Sequence, residues 1–464
     1  MNPINPGKFT RREFLRVGAQ LGIAGAATPL ALTLASIGQA AAATVNGDYK
    51  ALVCVFLYGG NDYGNTLVPY DAASHKAYAA IRQSLATPRD SLAATALTPK
   101  VALPDATRQM ALAPELAALK PLFDQGKMGV LLNIGALVQP VTLAHYKAGN
   151  VPLPPKLFSH NDQQSYWQSS LPEGSTSGWG GRIGDLFLQN NTTSTFTCMN
   201  VSGNAVYMSG NSAVQYQISS SGAVALRAKN SPVYGSSSVA SALQSLIRDS
   251  SSSNLLEQEH ARIVLRALDS ESKVTSALAS TPALTTNFDT SNSLAMQLRM
   301  VARLIAARSQ LGAARQVFFV SLGGFDTHDY LVTEHPDLLT KVGNALASFQ
   351  AATEELGVAR NVTAFTASDF GRTLSSNGDG SDHGWGSYHF VLGGAVNGGR
   401  YFGTLPAVAV NGPDDVGQGR LLPTTGVDQL AATLATWMGV SASEMPLVVP
   451  NIRNYSVTDL GLLN

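Results

Sequence analysis

Cysteine and charge are both scarce in this sequence. Of 464 residues, two are cysteines, Cys54 and Cys198, and 13% are charged. Two thiols allow at most one bridge, so a disulfide framework is excluded. Lysine plus arginine balance aspartate plus glutamate at 31 each, and no basic run follows the first twenty residues. Because the electrostatic footprint of a nucleic-acid-binding protein is missing, we expect no nucleic-acid partner.

The first 43 residues have the pattern of an export leader. Arg11 and Arg12 lie in the run TRREFLR, and an uncharged stretch rich in glycine and alanine follows, ending in four alanines at 40–43. This pattern is typical of a twin-arginine signal peptide, which the twin-arginine translocase reads as an address. The alternative is a membrane anchor over 17–37, but Pro29 interrupts that weakly hydrophobic stretch. We therefore predict a periplasmic or secreted protein without a stable membrane span.

Hydrophobic residues make up 45% of the chain, which is enough for a large buried core. Short apolar runs rich in β-branched or aromatic residues predict strands buried on both faces. These runs are 51–60, 128–135, 316–324 and 362–368. Apolar residues recur at helical spacing over 256–278 and again over 294–305, where the pattern ends near Gly312.

This alternation of strands and helices predicts an α/β fold with a mostly parallel central sheet flanked by helices. We expect one domain over 44–464. The serine-rich stretch at about 203–254 is predicted to be an insertion or a cap over the core rather than a separate domain.

Three of the predicted strands end beside an acid. Asp62 follows the first, Asp326 the third and Asp369 the fourth. His328 lies two residues after Asp326, and the glycine-rich loop after the fourth strand contains His383. Because ligands of open α/β sheets bind at the carboxyl ends of the strands, we expect these side chains to meet in one crevice.

Carboxylates and imidazoles that converge are stabilised by a divalent cation among them. Zinc, manganese and calcium are candidates, according to the share of oxygen ligands. The predicted metal ligands are Asp62, Asp326, His328, Asp369, His383 and His389. The alternative for each acid is a turn or a helix cap, and His389, in HFVLGG, could simply begin another strand.

Candidate catalytic residues lie between the first and third strands. Ser159 precedes His160 and a helix-like stretch, NDQQSYWQSS, so its hydroxyl would lie at a helix N-terminus that favours an alkoxide or an anionic ester. Ser159 is a candidate nucleophile and His160 a candidate general acid or base; the alternatives are an N-cap and a structural histidine. Arg182 and Arg372 could bind a phosphate or sulfate, or could pair with nearby acids.

Six segments, in order, resemble motifs of the family known as domain of unknown function 1501, whose members typically carry a twin-arginine leader. They are FLYGGNDYGNTLVPY, FSHNDQQSYWQ, GWGGRIGDL, SLGGFDTH, SDFGRT and SDHGWGSYHFVLGGAVNGGRYFGTLP. Their order is similar to that of the alkaline phosphatase and sulfatase superfamily, in which strand-end Asp residues and later Asp and His residues bind metal. The resemblance implies an alkaline-phosphatase-like fold with a nucleophile at a helix start.

The resemblance also implies roles for single residues: Asp62 matches the first-strand acid, Asp326 and His328 the middle pair, Asp369 the later acid, and His383 or His389 the final histidine. Two departures put a two-metal geometry in doubt. One residue, rather than three, separates Asp326 from His328, and Phe370 occupies a position where the superfamily commonly has histidine.

The sequence therefore predicts an exported, metal-dependent hydrolase of phosphate or sulfate esters. Its partner would be a small anionic ester or a surface glycan. The alternative is a non-catalytic envelope or polysaccharide-binding protein that keeps the same fold with at most one structural ion.

Overall fold

A nine-stranded mixed sheet forms the centre of the computed structural model, which describes residues 48–225, 232–248 and 254–464. The strands are β1 Lys50–Leu57, β2 Leu67–Pro69, β3 Met110–Leu112, β4 Met128–Gly135, β5 Cys198–Asn200, β6 Tyr216–Gln217, β7 Arg315–Leu322, β8 Val362–Ser368, β9 Ser387–Gly393, β10 Tyr401–Phe402 and β11 Thr425–Gly426. The sheet order is β10-β4-β9-β8-β1-β7-β5-β6, with β11 beside β4, whereas β2 and β3 form a separate antiparallel pair. Only β9 runs antiparallel to its neighbours in the nine-stranded sheet.

Helices cover both faces of this sheet. They are α1 Ala72–Arg82, α2 Lys120–Asp124, α3 Leu143–Ala148, α4 His160–Ser169, α5 Trp179–Phe187, α6 Ser237–Arg248, α7 Leu255–Ser280, α8 Ser293–Ala306, α9 Arg308–Leu311, α10 Leu331–Glu355, α11 Val427–Met438 and α12 Met445–Val448. Short 3-10 turns connect several of them. Within the described ranges, no helix combines the length and apolar composition needed to cross a bilayer.

Two apolar layers pack on opposite faces of the sheet because successive strand residues point in opposite directions. Val53 and Val55 of β1 face the layer that contains residues of α8 and α10. Leu52 and Phe56 face the layer that contains residues of α5 and α11. Burial on both faces explains why the central strands are continuous apolar runs.

The strand and helix predictions are confirmed to within a few residues. β1, β4, β7 and β8 are the four predicted strands, α7 and α8 are the two predicted helices, and Gly312 ends α9 in the left-handed conformation. Part of the serine-rich stretch contributes β6 to the sheet edge, so that part belongs to the core sheet. Residues 49–464 form one compact unit, and the predicted leader lies outside the described residues.

The strand order brings the ends of three strands together. β1 pairs in parallel with β7 on one side and β8 on the other, so the loops after all three leave the same edge. Gly59, just after β1, has a φ of 116°, and a Cβ there would lie 2.3 Å from the backbone nitrogen of Asp326. Glycine is required at this position because the first loop approaches the loop after β7 so closely.

Candidate metal centre

Three histidines surround the carboxylate of Asp326, which lies in the loop after β7. The Nε2 atom of His160, the first residue of α4, is 3.5 Å from Asp326 Oδ2. The Nε2 atoms of His328 and His383 are 3.3 and 3.2 Å from Asp326 Oδ1 and 2.8 Å from each other. We call these four residues the histidine cluster. Among the described residues, ligand atoms of His160, Asp326 and His383 all lie within 4.8 Å of one another.

Hydrogen bonds at Nδ1 orient two of these rings. His383 Nδ1 lies 2.8 Å from the carbonyl oxygen of Phe158, and His160 Nδ1 lies 2.6 Å from Asp369 Oδ2. A carbonyl only accepts, so His383 carries a proton on Nδ1, and a carboxylate favours the same tautomer in His160. In the neutral rings, both Nε2 lone pairs are then free to bind a cation.

His328 is oriented in the same way. Its Nδ1 lies 3.2 Å from Asp382 Oδ1, and the side-chain amide of Asn377 donates to that same oxygen at 3.1 Å. Its Nε2 faces Nε2 of His383 at 2.8 Å, a distance that requires either a shared proton or a cation near both nitrogens. All three histidines thus present Nε2 to one carboxylate.

Asp369 lies behind His160 rather than among the atoms that converge on Asp326. Its fully buried carboxylate accepts hydrogen bonds at Oδ2 from the backbone of Gly59 at 3.2 Å and from Gln164 Nε2 at 2.7 Å, besides His160. Within the described part of the chain, its Oδ1 has no hydrogen-bond partner. The structure therefore places this predicted ligand where it orients a histidine, an arrangement common around protein-bound metals.

Arg372 holds the carboxylate of Asp326 in place. Its fully buried guanidinium donates from Nη1 to Asp326 Oδ1 at 2.8 Å and to the Gly59 carbonyl at 3.0 Å, and from Nε to the Ser381 carbonyl at 2.9 Å. Partial burial alone would raise the pKa of Asp326, but the hydrogen bond and charge of Arg372 lower it. Asp326 is therefore ionised, and the donors of Arg372 already have acceptors within the protein.

The protonation tendencies of two histidines differ for physical reasons. The hydrogen bond to Asp369 raises the pKa of His160, because the carboxylate stabilises the imidazolium form. Partial burial lowers the pKa of His383, which favours its neutral form. A neutral imidazole is the form that binds a metal ion.

Phe370 packs against the same two histidines. Its buried ring lies 4.9 Å from the ring of His160 and 4.6 Å from that of His383, measured between centroids. The phenyl ring supplies no ligand atom and packs beside both imidazoles.

Asp62 is not brought to the histidine cluster. Its buried carboxylate lies 2.9 Å from Arg82 Nη2, accepts from Ser381 Oγ at 2.7 Å, and caps a short 3-10 helix through the backbone of Asn65. Burial alone would raise its pKa, but the charge of Arg82 lowers it. The expectation of a metal ligand is corrected here, because an arginine from α1 already neutralises this acid.

His389 and Arg182 are also placed away from the cluster. His389 lies inside β9, with Nδ1 3.2 Å from Thr366 Oγ1 and its ring packed edge-on against Trp167, and burial lowers its pKa to about 3. Arg182 is buried in α5 and donates to three backbone carbonyls at 2.5–2.8 Å. The expectation that these residues bind ligands at the site is therefore corrected. His389 is a neutral histidine of the core, and the donors of Arg182 are used by backbone carbonyls.

Ser159 occupies the N-cap position of α4 without making the side-chain cap bond. Its hydroxyl donates instead to Asp162 Oδ2 at 2.9 Å. It lies between His160 and Phe158, the residue whose carbonyl orients His383. Its assignment as the nucleophile stays a prediction.

Two features of the cluster were missed by reasoning from sequence. The sequence predicts proton transfer for His160, yet His160 is one of the converging residues and its Nε2 lies 3.5 Å from Asp326 Oδ2. The sequence predicts no role for Asp382, whose carboxylate orients His328. The available signals were the Asp-His dipeptide at 382–383 and the His at 160 that begins a helix-like stretch, and both motifs are common for other reasons.

The sequence matches the family model described as Protein of unknown function (DUF1501) over residues 49–448. The chain belongs to this family. No curated protein matches it. The family match covers every residue of the histidine cluster and the residues that orient it.

Similar solved structures include PsFucS1 sulfatase from Pseudoalteromonas sp., at 9% identity and a TM-score of 0.36, with 92% of this chain and 77% of that chain covered. The lipoteichoic acid synthase LtaP from Listeria monocytogenes gives 9% identity, a TM-score of 0.34, and coverage of 88% and 76%. The C-terminal periplasmic domain of EcEptC from Escherichia coli is 12% identical, with a TM-score of 0.32 and 87% of each chain covered. Similarity at this level carries no conclusion about activity.

Proposed function

We propose that the protein is a metal-dependent hydrolase of phosphate or sulfate esters. Its ion is bound by His160, Asp326 and His383, with His328 beside them. The observation that carries the proposal is that three imidazoles direct Nδ1 at an acceptor and Nε2 at one carboxylate. Nitrogen-rich donor sets suit zinc, whereas calcium prefers oxygen ligands, so zinc is the proposed ion.

The exposure of the cluster supports a catalytic rather than a structural ion. The side chains of His383 and His160 are 23% and 29% exposed, and those of His328 and Asp326 are 40% and 47% exposed. Structural zinc sites are closed by protein ligands, whereas catalytic sites keep a position for water or substrate. An ester approaching from solvent would reach this cluster directly.

A single ion is proposed because protein groups already bind the carboxylate of Asp62 and the Oδ2 atom of Asp369. Arg82 neutralises Asp62, and His160 and Gln164 donate to Asp369. Bound zinc would supply a Lewis acid that stabilises charge developing on an ester oxygen. The chain itself would contribute the Ser159 hydroxyl, whose hydrogen bond to Asp162 offers an acceptor for its proton.

Replacing the proposed nucleophile tests the reaction. We expect Ser159→Ala to abolish turnover of an aryl phosphate or aryl sulfate by the zinc-loaded protein. The melting temperature should change little, because Ser159 makes no cap bond whose loss would cost about 0.5–2 kcal/mol. Turnover and melting are measured on the same preparation.

Ser165→Ala is the matched control, since it removes a hydroxyl from the same helix that donates to carbonyls outside the cluster. It should retain turnover. If zinc binds the wild-type protein but no phosphate or sulfate ester is hydrolysed, the alternative of a non-catalytic binding protein with one structural ion replaces the hydrolase proposal.

Export is proposed from the leader, which lies outside the described residues. Arg11→Lys together with Arg12→Lys should leave precursor in the cytoplasm, because the translocase reads the arginine pair as an address. Immunoblots of periplasmic and cytoplasmic fractions measure this. Normal periplasmic amounts of the doubly substituted protein would show that the leader assignment is wrong.

A further inference from the structure

Phe158 has an unusual backbone conformation beside the histidine cluster. Its φ is 72°, in the left-handed region that bulky residues rarely adopt. In this conformation its carbonyl accepts the Nδ1 proton of His383 at 2.8 Å. Such conformations are strained and persist only where the surrounding structure enforces them. The side-chain ring of the same residue makes a second contact, with Arg420.

The guanidinium of Arg420 lies over that ring. Its central carbon is 4.9 Å from the ring centroid of Phe158, its Nε donates to the His383 carbonyl at 2.8 Å, and its Nη1 lies 3.4 Å from the Gly417 carbonyl. The turn before it is tightly shaped, because Gly417, Gln418 and Gly419 all have positive φ values. Arg420 is thus fixed against two residues that belong to or orient the cluster.

No acid among the described residues pairs with Arg420. The two fully buried arginines nearby, Arg82 and Arg372, each pair with a carboxylate. Over the ranges that the structure describes, the contacts of Arg420 are two carbonyls and one aromatic ring, with no acid within 4.0 Å. A half-buried cation that is fixed beside the backbone of His383 and has no acid within 4.0 Å in the described ranges attracts an anion.

We propose that Arg420, supported by the ring of Phe158, binds the non-bridging oxygens of the phosphate or sulfate ester at the histidine cluster. The inference rests on the proposed function, since the anion is the ester group itself. A guanidinium forms paired, charge-assisted hydrogen bonds with tetrahedral oxyanions. Because its contacts fix it before the ligand arrives, little conformational entropy is lost on binding.

Calorimetric titration of the zinc-loaded protein with inorganic phosphate and with inorganic sulfate tests the proposal. A hydrogen bond to a charged group is worth about 1.5–3 kcal/mol, so Arg420→Gln should weaken anion affinity about 10- to 100-fold. Arg420→Lys keeps the charge but loses the paired donors of the guanidinium, so it should reduce anion affinity less. Zinc content should be unchanged in both variants.

Lys156→Gln is the matched control. Lys156 lies two residues before Phe158, but its exposed ammonium is already within 4.0 Å of Asp162 and Glu173. Its removal should leave anion affinity unchanged. If Arg420→Gln does not fold, as judged by its melting curve, Arg420→Lys decides, and wild-type affinity in that variant overturns the proposal.

The remaining outcomes separate this inference from the hydrolase proposal. Zinc binding together with anion affinity that does not depend on Arg420 overturns the role of Arg420 and leaves the metal centre standing. Failure of the wild-type protein to bind either anion at millimolar concentration overturns it as well. If the protein takes up no zinc but binds an anion in a way that depends on Arg420, the anion-binding role of Arg420 is supported. The hydrolase proposal then loses its basis.

Discussion

Removal of metal by a chelator is expected to lower the melting temperature of the purified protein, and re-addition of zinc is expected to restore it. An ion that binds only the folded state stabilises it by about 2.7 kcal/mol at a free concentration about 100 times its Kd. The cluster has the charge and geometry for such coupling, because Asp326 is ionised and two Nε2 atoms lie 2.8 Å apart. Thermal unfolding with elemental analysis measures both the effect and the stoichiometry, which we expect to be one zinc per chain.

Histidine variants assign that effect to the cluster. His383→Ala should abolish the response to chelator and zinc, because it removes a ligand whose other nitrogen is fixed by Phe158. His145→Ala, which removes an exposed histidine on α3, should respond as the wild type does. A wild-type melting curve that chelator leaves unmoved, with no tightly held metal found, would show that these side chains form only a hydrogen-bond network.

Asp62→Asn is expected to reduce mainly folding stability, whereas Asp326→Asn is expected to reduce mainly zinc affinity. Asp62 and Arg82 form an ion pair whose side chains are 1% and 0% exposed. Leaving Arg82 buried without its partner should cost about 3–5 kcal/mol of folding stability while zinc stoichiometry stays at one. The measurement is denaturant unfolding of the metal-free protein alongside zinc titration.

Asp326→Asn should mainly reduce zinc affinity. Even a partner that only orients a ligand is typically worth 10- to 100-fold in metal affinity, so loss of the central carboxylate charge should cost at least about that much. Stability of the metal-free form should fall less than in Asp62→Asn, because Asp326 is 47% exposed and solvent screens its pairing with Arg372, whereas Asp62 is buried. Loss of zinc in Asp62→Asn, without loss in Asp326→Asn, would contradict the arrangement described above.

The central strands and the acids that follow them could be predicted from the sequence because both depend on short segments. A strand buried on both faces must be apolar throughout, so β1, β4, β7 and β8 are visible as apolar runs. Parallel pairing of three of them then requires the acids that follow to lie at one edge. The mostly parallel α/β sheet and the convergence of Asp326, His328 and His383 follow from these local patterns.

The antiparallel direction of β9 was not predictable in the same way. Its run of buried residues resembles those of the parallel strands, and the sequence offered only the suggestion that His389 begins another strand. The direction of β9 is set by its pairing with β4 and β8. That pairing also places His389 inside the sheet, where it cannot reach the cluster.

The sequence by itself determined the fold class, the family and the edge of the sheet where polar side chains gather. Only the tertiary structure decided which of those side chains have a free ligand atom, because that depends on partners distant in the chain. Asp62 pairs with Arg82 and is therefore not available to a metal ion. His160 is oriented by Asp369, which is 209 residues away in the sequence. The nearest opposite charge in the folded structure determines whether a charged side chain is available to bind a ligand. The spacing of residues along the sequence does not reveal which charge that is.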